Sequence, residues 1–369
     1  MSRVPLDNRG RRRKIVVALS GGVDSSVSAA LLARAGYNVT GAFIRVWYPP
    51  GIYCSAEDDR RDALHVAAAI GIPLLTVDLE KEYKAKVIDA MFREYRRGRT
   101  PNPDILCNEK VKFGAFLAWA RMHGADAIAT GHYARVIKRG GGFHLLAGRD
   151  KEKDQSYFLY RLPERTLKRI IFPVGAMEKR EVRALARRFK LPTAEKKDSQ
   201  GLCFVGKFDF KAFLKRYVRV KPGNAVNEGG EIIGYHSGAA LYTVGERHGF
   251  TVTTKGPHDP PYYVVSRDVK KNTITVARGN EEKKYFKRKA ILSNPHWISG
   301  KAPALSGTYR ARIRYRQPLQ SCRLQKNHPL GSKAPKWVVT FDRPQRAVTP
   351  GQSLVLYRGA ECLGGGVIA

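Results

Sequence analysis

Side chains suited to covalent chemistry gather in two kinds of place along this chain. One is SGGVDSS, Ser20–Ser26. Glycines there let a phosphate approach backbone N–H groups, serine hydroxyls donate further bonds, and a helix starting at that point adds partial positive charge. No Lys-Ser or Lys-Thr follows the second glycine, so the Walker arrangement for a γ-phosphate is missing. The loop is therefore expected to cradle the pyrophosphate released in adenylyl transfer, with Asp24 helping to hold a phosphate-bridging Mg2+. The other place is a pair of polar loops that each carry a cysteine. Cys107 lies in GRTPNPDILCN (Gly98–Asn108) and Cys203 in KKDSQGLCF (Lys196–Phe204). Cys107 sits just before a helix expected from about Asn108, where the helix dipole favours a thiolate. Polar loops are poor core environments, so both thiols are read as redox-active or nucleophilic. Cys54, Cys322 and Cys362 are read as small buried hydrophobes.

Elements must hold these groups in place. KIVVAL, Lys14–Leu19, reads as a buried strand, followed by a helix over Ser25–Ala35 that Gly36 ends. A strand at Val39–Val46, a helix from Glu57 to Ile70 and a strand at Pro73–Leu79 come next, with Asp126–Ala129 as a later strand. Strands alternating with helices imply right-handed crossovers and a parallel sheet covered on both faces, an α/β fold. From Phe172 to about Phe210 the pattern is helical, with KREVRALARRF amphipathic. After about Gly223 the texture turns all-β, with short runs such as YYVVS, TITVA, WVVTF and SLVLY between turn residues. That texture predicts a small linking domain and then a barrel or sandwich. The charge run Glu281–Lys289 reads as a solvated face or linker.

Lys and Arg number 67 against 32 Asp and Glu, a formal charge of +35. Solubility needs far less, so a polyanion, nucleic acid, is the expected partner. The five cysteines are odd in number and include no C-x-x-C pair, which argues against a disulfide scaffold or a zinc site. The chain lacks an apolar run of membrane-spanning length and a signal-peptide core, so a soluble, cytoplasmic protein is expected.

SGGVDSS after an initial strand resembles the PP-loop motif of ATP-dependent adenylating enzymes. Further segments resemble one branch, the tRNA-specific 2-thiouridylases: CSAEDDRRDA (Cys54–Ala63), GRTPNPDILCN, ATGHYARV (Ala129–Val136), KDQSYFLY (Lys153–Tyr160), FPVG (Phe172–Gly175), KKDSQGLCF, YTVGERHG (Tyr242–Gly249), RYRQ (Arg314–Gln317), TPGQSLVLY and CLGGGVI. The set runs in family order over residues 14 to 369. The resemblance implies a PP-loop adenylating domain over 1–207, a central tRNA-contacting domain over 208–279 and a β-barrel-like domain over 280–369. It implies that ATP is surrounded by Ala18, Leu19, Ser20, Gly21, Gly22, Val23, Asp24, Ser25, Ile44 and Gly131. Asn102, Pro103 and Asp104 would meet the target base, while Lys153, Asp154, Gln155, Arg314 and Tyr315 would touch tRNA. Cys107 would be the catalytic thiol and Cys203 the persulfide carrier, with a Cys107–Cys203 disulfide closing the cycle. Two departures stand out: a longer basic segment at Met1–Arg13, and Ile44 where a methionine is expected.

The implied reaction adenylates the C2 oxygen of a wobble uridine and replaces it with sulfur, giving 2-thiouridine, AMP and pyrophosphate. Sulfur attacks either as the persulfide or as released hydrosulfide. The implied partners are tRNA and a persulfide-carrying sulfur-relay protein or cysteine desulfurase. Tyr157 and Tyr315 are candidates to stack exposed anticodon bases. Two other readings are a PP-loop synthetase forming C–N bonds and an RNA-binding protein on a degenerate scaffold. Pyrophosphate release that depends on tRNA separates thiolation from both.

Overall fold

The computed structural model describes residues 10–50, 56–198, 210–256, 258–279, 281–327 and 335–369. Strand β1 (Lys14–Ala18) alternates its side chains: Ile15 and Val17 bury into one face of the sheet, Val16 into the other. β1 pairs in parallel with β2 (Asn38–Arg45) and with β4 (Ala127–Ala129), and β2 pairs in parallel with β3 (Leu74–Asp78). Each expected strand forms within a residue or two of its predicted bounds. Helices α1 (Val23–Arg34) and α2 (Ala56–Ile70) cover the Ile15 face. On the Val16 face lie the helical segments from Glu80 to Arg96 and a long helix, here the cysteine helix, made of Pro103–Leu106, Cys107–Phe116 and Leu117–Met122. Its middle stretch is π-helical. Burying one such aliphatic side chain contributes about 1.5–3 kcal/mol, so layers on both faces fix the strand register firmly.

A hairpin, β5 (Ala134–Arg139) and β6 (Gly142–Ala147), leaves this domain, and a two-residue strand β7 (Ile170–Ile171) returns beside β4. Among the described residues, the helical reading of Phe172–Phe210 holds only for Lys179–Arg188 and for Phe210, which belongs to the helix Phe210–Tyr217. Phe172 to Met177 and Lys190 to Asp198 are turns and irregular chain; the second opens on Lys190 at positive φ, just past the helix end, and Leu191-Pro192 follow.

The central region is a five-stranded sheet: β8 (Gly223–Val226), β9 (Ile232–His236), β10 (Phe250–Val252), β11 (Tyr262–Asp268) and β12 (Thr273–Arg278), in the order β10-β9-β8-β12-β11. The C-terminal strands are β13 (Lys287–Trp297), β14 (Thr308–Arg312), β15 (Gln320–Asn327), β16 (Lys336–Gln345), β17 (Ser353–Arg358) and β18 (Glu361–Ile368). β13 pairs with both β16 and β18, so the six close into a barrel around Tyr309, Leu324, Val339, Phe341 and Leu354. Closure removes the free edges that a sandwich would leave. Hairpin strand β6 then adds to β18, where Glu361 meets Arg139 at 2.7 Å and His144 at 2.6 Å. Among the described residues no helix is long and apolar enough to cross a membrane.

Candidate active site

In the parallel sheet the order β3-β2-β1-β4 reverses direction at β1, and the Ser20–Ser26 loop opens at the carboxyl end of that strand. Such a switch point leaves a crevice between the departing chains where ligands bind. Gly22 is the N-cap of α1 in extended conformation and, having no side chain, supplies no cap to the helix. Amides of the first turn have no carbonyl a turn earlier to bind, so they present N–H groups and the positive end of the dipole to the crevice. Below them the loop is braced from within. Ser25 Oγ donates to Gly22 O (2.9 Å) and accepts from Ser20 N (3.2 Å); Ser26 Oγ donates to Gly22 O (2.8 Å) and accepts from Thr193 (3.0 Å). Two glycines are required by contact: a Cβ on Gly131 would lie 2.7 Å from Asp24 C and Ser25 N, and one on Gly21, at φ +70, 2.4 Å from Asp59 O. Ala18, at the end of β1, and the buried Leu19 and Val23 frame the loop, and Ile44 on β2 is buried on the Val16 face.

A compact charge network flanks the loop. Lys179 Nζ reaches both oxygens of Asp24 at 2.6 and 2.8 Å and Asp198 at 2.9 Å. Tyr133 Oη donates to Asp24 at 2.8 Å. Asp198 also binds Lys153 and Arg183, each at 2.7 Å. Burial would raise the Asp198 pKa, but Lys153 and Lys179 outweigh it and hold the carboxyl at about 2. Burial and then the Asp24 charge push the Tyr133 hydroxyl far above its ordinary range, so it stays a donor. Lys196 ties the far side of the site to α2 through Asp59 (2.7 Å) and Asp62 (2.6 Å). The expectation that Asp24 holds Mg2+ needs correction: its two oxygens already carry an ammonium and a phenol, and a divalent cation does not fit them as arranged. Lys179, Tyr133 and Asp198 were not singled out from sequence. The one signal for Lys179 was its place as the first residue of the helix that Glu178 and Glu181 cap.

The cysteine helix corrects a second expectation. Asn102 is the N-cap, its Oδ1 accepting from Ile105 N at 3.2 Å, and Pro103 takes the first helical position. Asn-Pro is itself a helix-start signal. Cys107 thus lies a full turn inside the helix, 1 % exposed, rather than at its N-terminus. Asn102, Pro103 and Asp104 are half-buried on the first turn. Lys112, one π-helical turn beyond Cys107, is also buried, and burial together with the Lys112 charge pulls His132 well below its usual pKa. His132, hydrogen-bonded to Thr130 (2.7 Å), rests against Phe113 of the same helix and directly follows Gly131. Through this contact the cysteine helix abuts the nucleotide loop. On another side of the helix Arg161 and Lys110 hold Glu109 at 2.5 and 2.8 Å, keeping its pKa low against the effect of burial. Cys203 and Cys54 fall outside the described residues.

Models of three families match consecutive parts of the chain: a tRNA methyl transferase HUP domain over residues 13–207, a tRNA methyl transferase PRC-barrel domain over 211–278 and an aminomethyltransferase β-barrel domain over 287–368. The tRNA-specific 2-thiouridylase MnmA of Pseudomonas aeruginosa (strain UCBPP-PA14) is 46% identical over 361 residues, 97% of this chain and 95% of its own length. The protein of the same name from Hahella chejuensis is 46% identical over 97% of this chain and 98% of its own. This chain belongs to the tRNA-specific 2-thiouridylase family. It is an enzyme of the sulfurtransferase class. Among solved structures, the U34-tRNA thiolase NcsA from Methanococcus maripaludis aligns at TM-score 0.35 and 19% identity, over 58% of this chain and 65% of that one.

In this member of the family the residues expected at tRNA divide by burial. Asp154 is 3 % exposed, and its carboxylate accepts from Gly148 N and Ser156 N at 3.0 Å and pairs with Arg312 at 3.3 Å. It is an internal strut, not a surface contact. Tyr157 is 0 % exposed, its hydroxyl donating to Ser353 O at 2.9 Å, which removes it as a base-stacking ring. Gln155 is half-buried and accepts from Tyr133 N at 2.9 Å. Arg314 turns inward to donate to Val244 O at 2.6 Å and Thr349 at 3.3 Å, and burial lowers its pKa. Tyr315 is half-buried against Phe158, with the guanidinium of exposed Arg316 over its ring at 5.3 Å. The signal for Arg316 was its place in RYRQ. Cys322 and Cys362 are core residues, and burial raises the Cys322 thiol to about 12 and Cys362 further.

Proposed function

We propose that this chain thiolates the wobble uridine of tRNA at C2, using ATP to activate the base and a cysteine persulfide as the sulfur source. A uracil carbonyl is a poor electrophile because oxide is a bad leaving group. Its C2 oxygen attacks the α-phosphorus of ATP, a P–O bond forms, and pyrophosphate leaves. The first-turn amides of α1 and the Lys179 ammonium stand where that negative charge grows. C2 now carries AMP as leaving group. In one route the terminal sulfur of a Cys203 persulfide attacks C2 and AMP departs; the Cys107 thiolate then attacks the Cys203 sulfur and breaks the S–S bond. In the other, Cys107 attacks first and the hydrosulfide it releases attacks C2. Both routes leave sulfur on C2 and a Cys107–Cys203 disulfide, which an external dithiol reopens by exchange.

On this reading Ala18–Ser25, Ile44 and Gly131 surround ATP, and Asn102, Pro103 and Asp104 face the base. Lys153, Gln155, Tyr315 and Arg316 meet tRNA, and the exposed lysines and arginines neutralise phosphates without reading sequence. A persulfide-carrying relay protein or a cysteine desulfurase loads Cys203. The domains divide at 207/208 and 279/280. The observation that carries the reading is an uncapped helix N-terminus at a sheet switch point, abutted by the helix that bears Cys107. The test incubates the protein with ATP, an unmodified tRNA transcript and a persulfide donor. Pyrophosphate release that depends on tRNA, with 2-thiouridine in the nuclease digest, is expected. Release independent of tRNA, or sulfur at another position, overturns it.

A further inference from the structure

The loop Gly98–Asn102, which ends on the cap of the cysteine helix, is held from outside its own domain. Thr100 is 7 % exposed and spends its main polar groups on the other two regions. Its N–H donates to Pro350 O (3.0 Å), its carbonyl accepts from Gln352 Nε2 (2.8 Å), and its hydroxyl meets Thr243 (3.3 Å). Arg267, at the end of β11, binds the same loop most extensively. One terminal nitrogen donates to Gly98 O and Thr100 Oγ1, both at 2.9 Å; the other donates to Tyr242 O and to Ala240 O at 3.4 Å. The four acceptors are three main-chain carbonyls and one hydroxyl, so this arginine is used as a planar fork that joins two segments rather than as a salt-bridge partner. Donors spent in this way are not offered to phosphate.

We propose that Arg267 is a positioning residue for sulfur transfer: from the central domain it fixes the loop that sets Asn102–Asp104 and Cys107 against the nucleotide. The proposal rests on the reading of Asn102–Asp104 as base-facing. Seating tRNA on the two β-rich domains then acts on the reacting base through the bonds gathered on this loop, those of Arg267 foremost. An error of about 1 Å in placing reacting groups costs about 10²-fold in rate. Freeing the loop is therefore costly even though no reacting atom is touched.

The test compares the full-length Arg267→Met, Arg267→Lys and Thr100→Val proteins with the parent. With saturating tRNA and ATP, kcat for thiolation should fall about 10²-fold in Arg267→Met, and part of the loss should return in Arg267→Lys. The Kd for tRNA should stay within about threefold in both, because no phosphate contact is removed. Combined with Thr100→Val, the Arg267→Met loss should not deepen, since the two substitutions break one connection. A second readout needs no activity: iodoacetamide labelling of Cys107, followed by peptide mapping without substrates, should quicken about tenfold in Arg267→Met through local opening of the helix start. Should the parent protein thiolate nothing, the functional reading fails, while the labelling result still judges the positioning role. An unchanged kcat with unchanged labelling overturns the proposal. So does a Kd that weakens with a salt slope shallower by about one, which would make Arg267 a phosphate contact. A kcat loss that follows only the fraction unfolded in a thermal melt also overturns it.

Discussion

The Ser20–Ser26 loop and the Gly98–Asn102 loop both lead into helices to which the proposed reaction assigns its chemistry, yet they are built in opposite ways. The first leaves its helix uncapped and is braced by hydroxyls of its own sequence, Ser25 and Ser26, with Thr193 beside them. The second caps its helix with Asn102 and takes its outer support from Arg267, Thr243, Pro350 and Gln352 in the β-rich regions. A site for ATP, which looks the same in every cycle, is best made rigid within one domain. A site for a base delivered on a large RNA gains from being completed by the surfaces that RNA touches. The two halves should therefore fail separately when perturbed.

The largest separation is expected from Cys107→Ser. It should remove 2-thiouridine altogether, while pyrophosphate release that depends on tRNA persists, because adenylation needs no thiol. Loss of both activities would mean that the cysteine helix and the nucleotide loop act as one unit. Lys179→Met should act on the other half. Removing the ammonium beside the departing pyrophosphate should slow its release by about 10²–10³-fold, with tRNA binding in a filter assay unchanged. A Lys179→Met protein that releases pyrophosphate at the parent rate would leave the charge on the amides of α1 alone.

The two halves were also unequally legible in the sequence. SGGVDSS between KIVVAL and an apolar helix is a local pattern, and the strands around it form where periodicity places them. What escaped depends on partners far along the chain. Lys179 and Asp24 are 155 residues apart, and Arg267 and Thr100 are 167 apart. No spacing rule links such pairs. The pairing of hairpin strand β6 with the barrel's β18 was missed for the same reason, since Leu146 pairs with Glu361. Asp154, expected at tRNA from the resemblance, and Tyr157, a candidate stacking ring, are buried by partners equally remote, Arg312 and Ser353, 158 and 196 residues along the chain. The misplaced helix start is different. Asn102-Pro103 announces it locally, and the reading at Asn108 passed over that signal.

A smaller effect should come from Gly131→Ala. The added methyl meets main-chain atoms of Asp24 and Ser25 at 2.7 Å, and backbone cannot rotate aside. Overpacking of this kind costs about 1–3 kcal/mol, seen as a lowered melting temperature and weaker ATP binding by calorimetry. Labelling of Cys107 should stay at the parent rate, because the Gly98–Asn102 loop is untouched. Quicker labelling would show that strain at the nucleotide loop reaches the cysteine helix through His132.

The smallest effect is a matter of pH. Asp198 titrates at about 2 in the folded protein, below its ordinary value of 3.8, because Lys153 and Lys179 outweigh its burial. A depressed carboxylate contributes stability that is complete above the unfolded pKa and is lost as pH falls through the folded one. The charge network beside Ser20–Ser26 should thus weaken progressively from about pH 4 to about pH 2. The bonds that the Gly98–Asn102 loop makes to the β-rich regions, through Thr100, Gln352 and an arginine bound to uncharged acceptors, involve no group that titrates in that range, and its carboxylate contact is the Arg99–Glu94 pair at 2.7 Å. Hydrogen exchange read by mass spectrometry between pH 5 and pH 2.5, corrected for intrinsic rates, compares the two loops directly. Protection in residues 20–26 should fall before protection in 98–104. In Asp198→Asn the nucleotide side should start less protected and change less with pH, since the titrating group is gone. Loops that lose protection together in both proteins would mean that acid acts through global unfolding, and that the two supports are not independent.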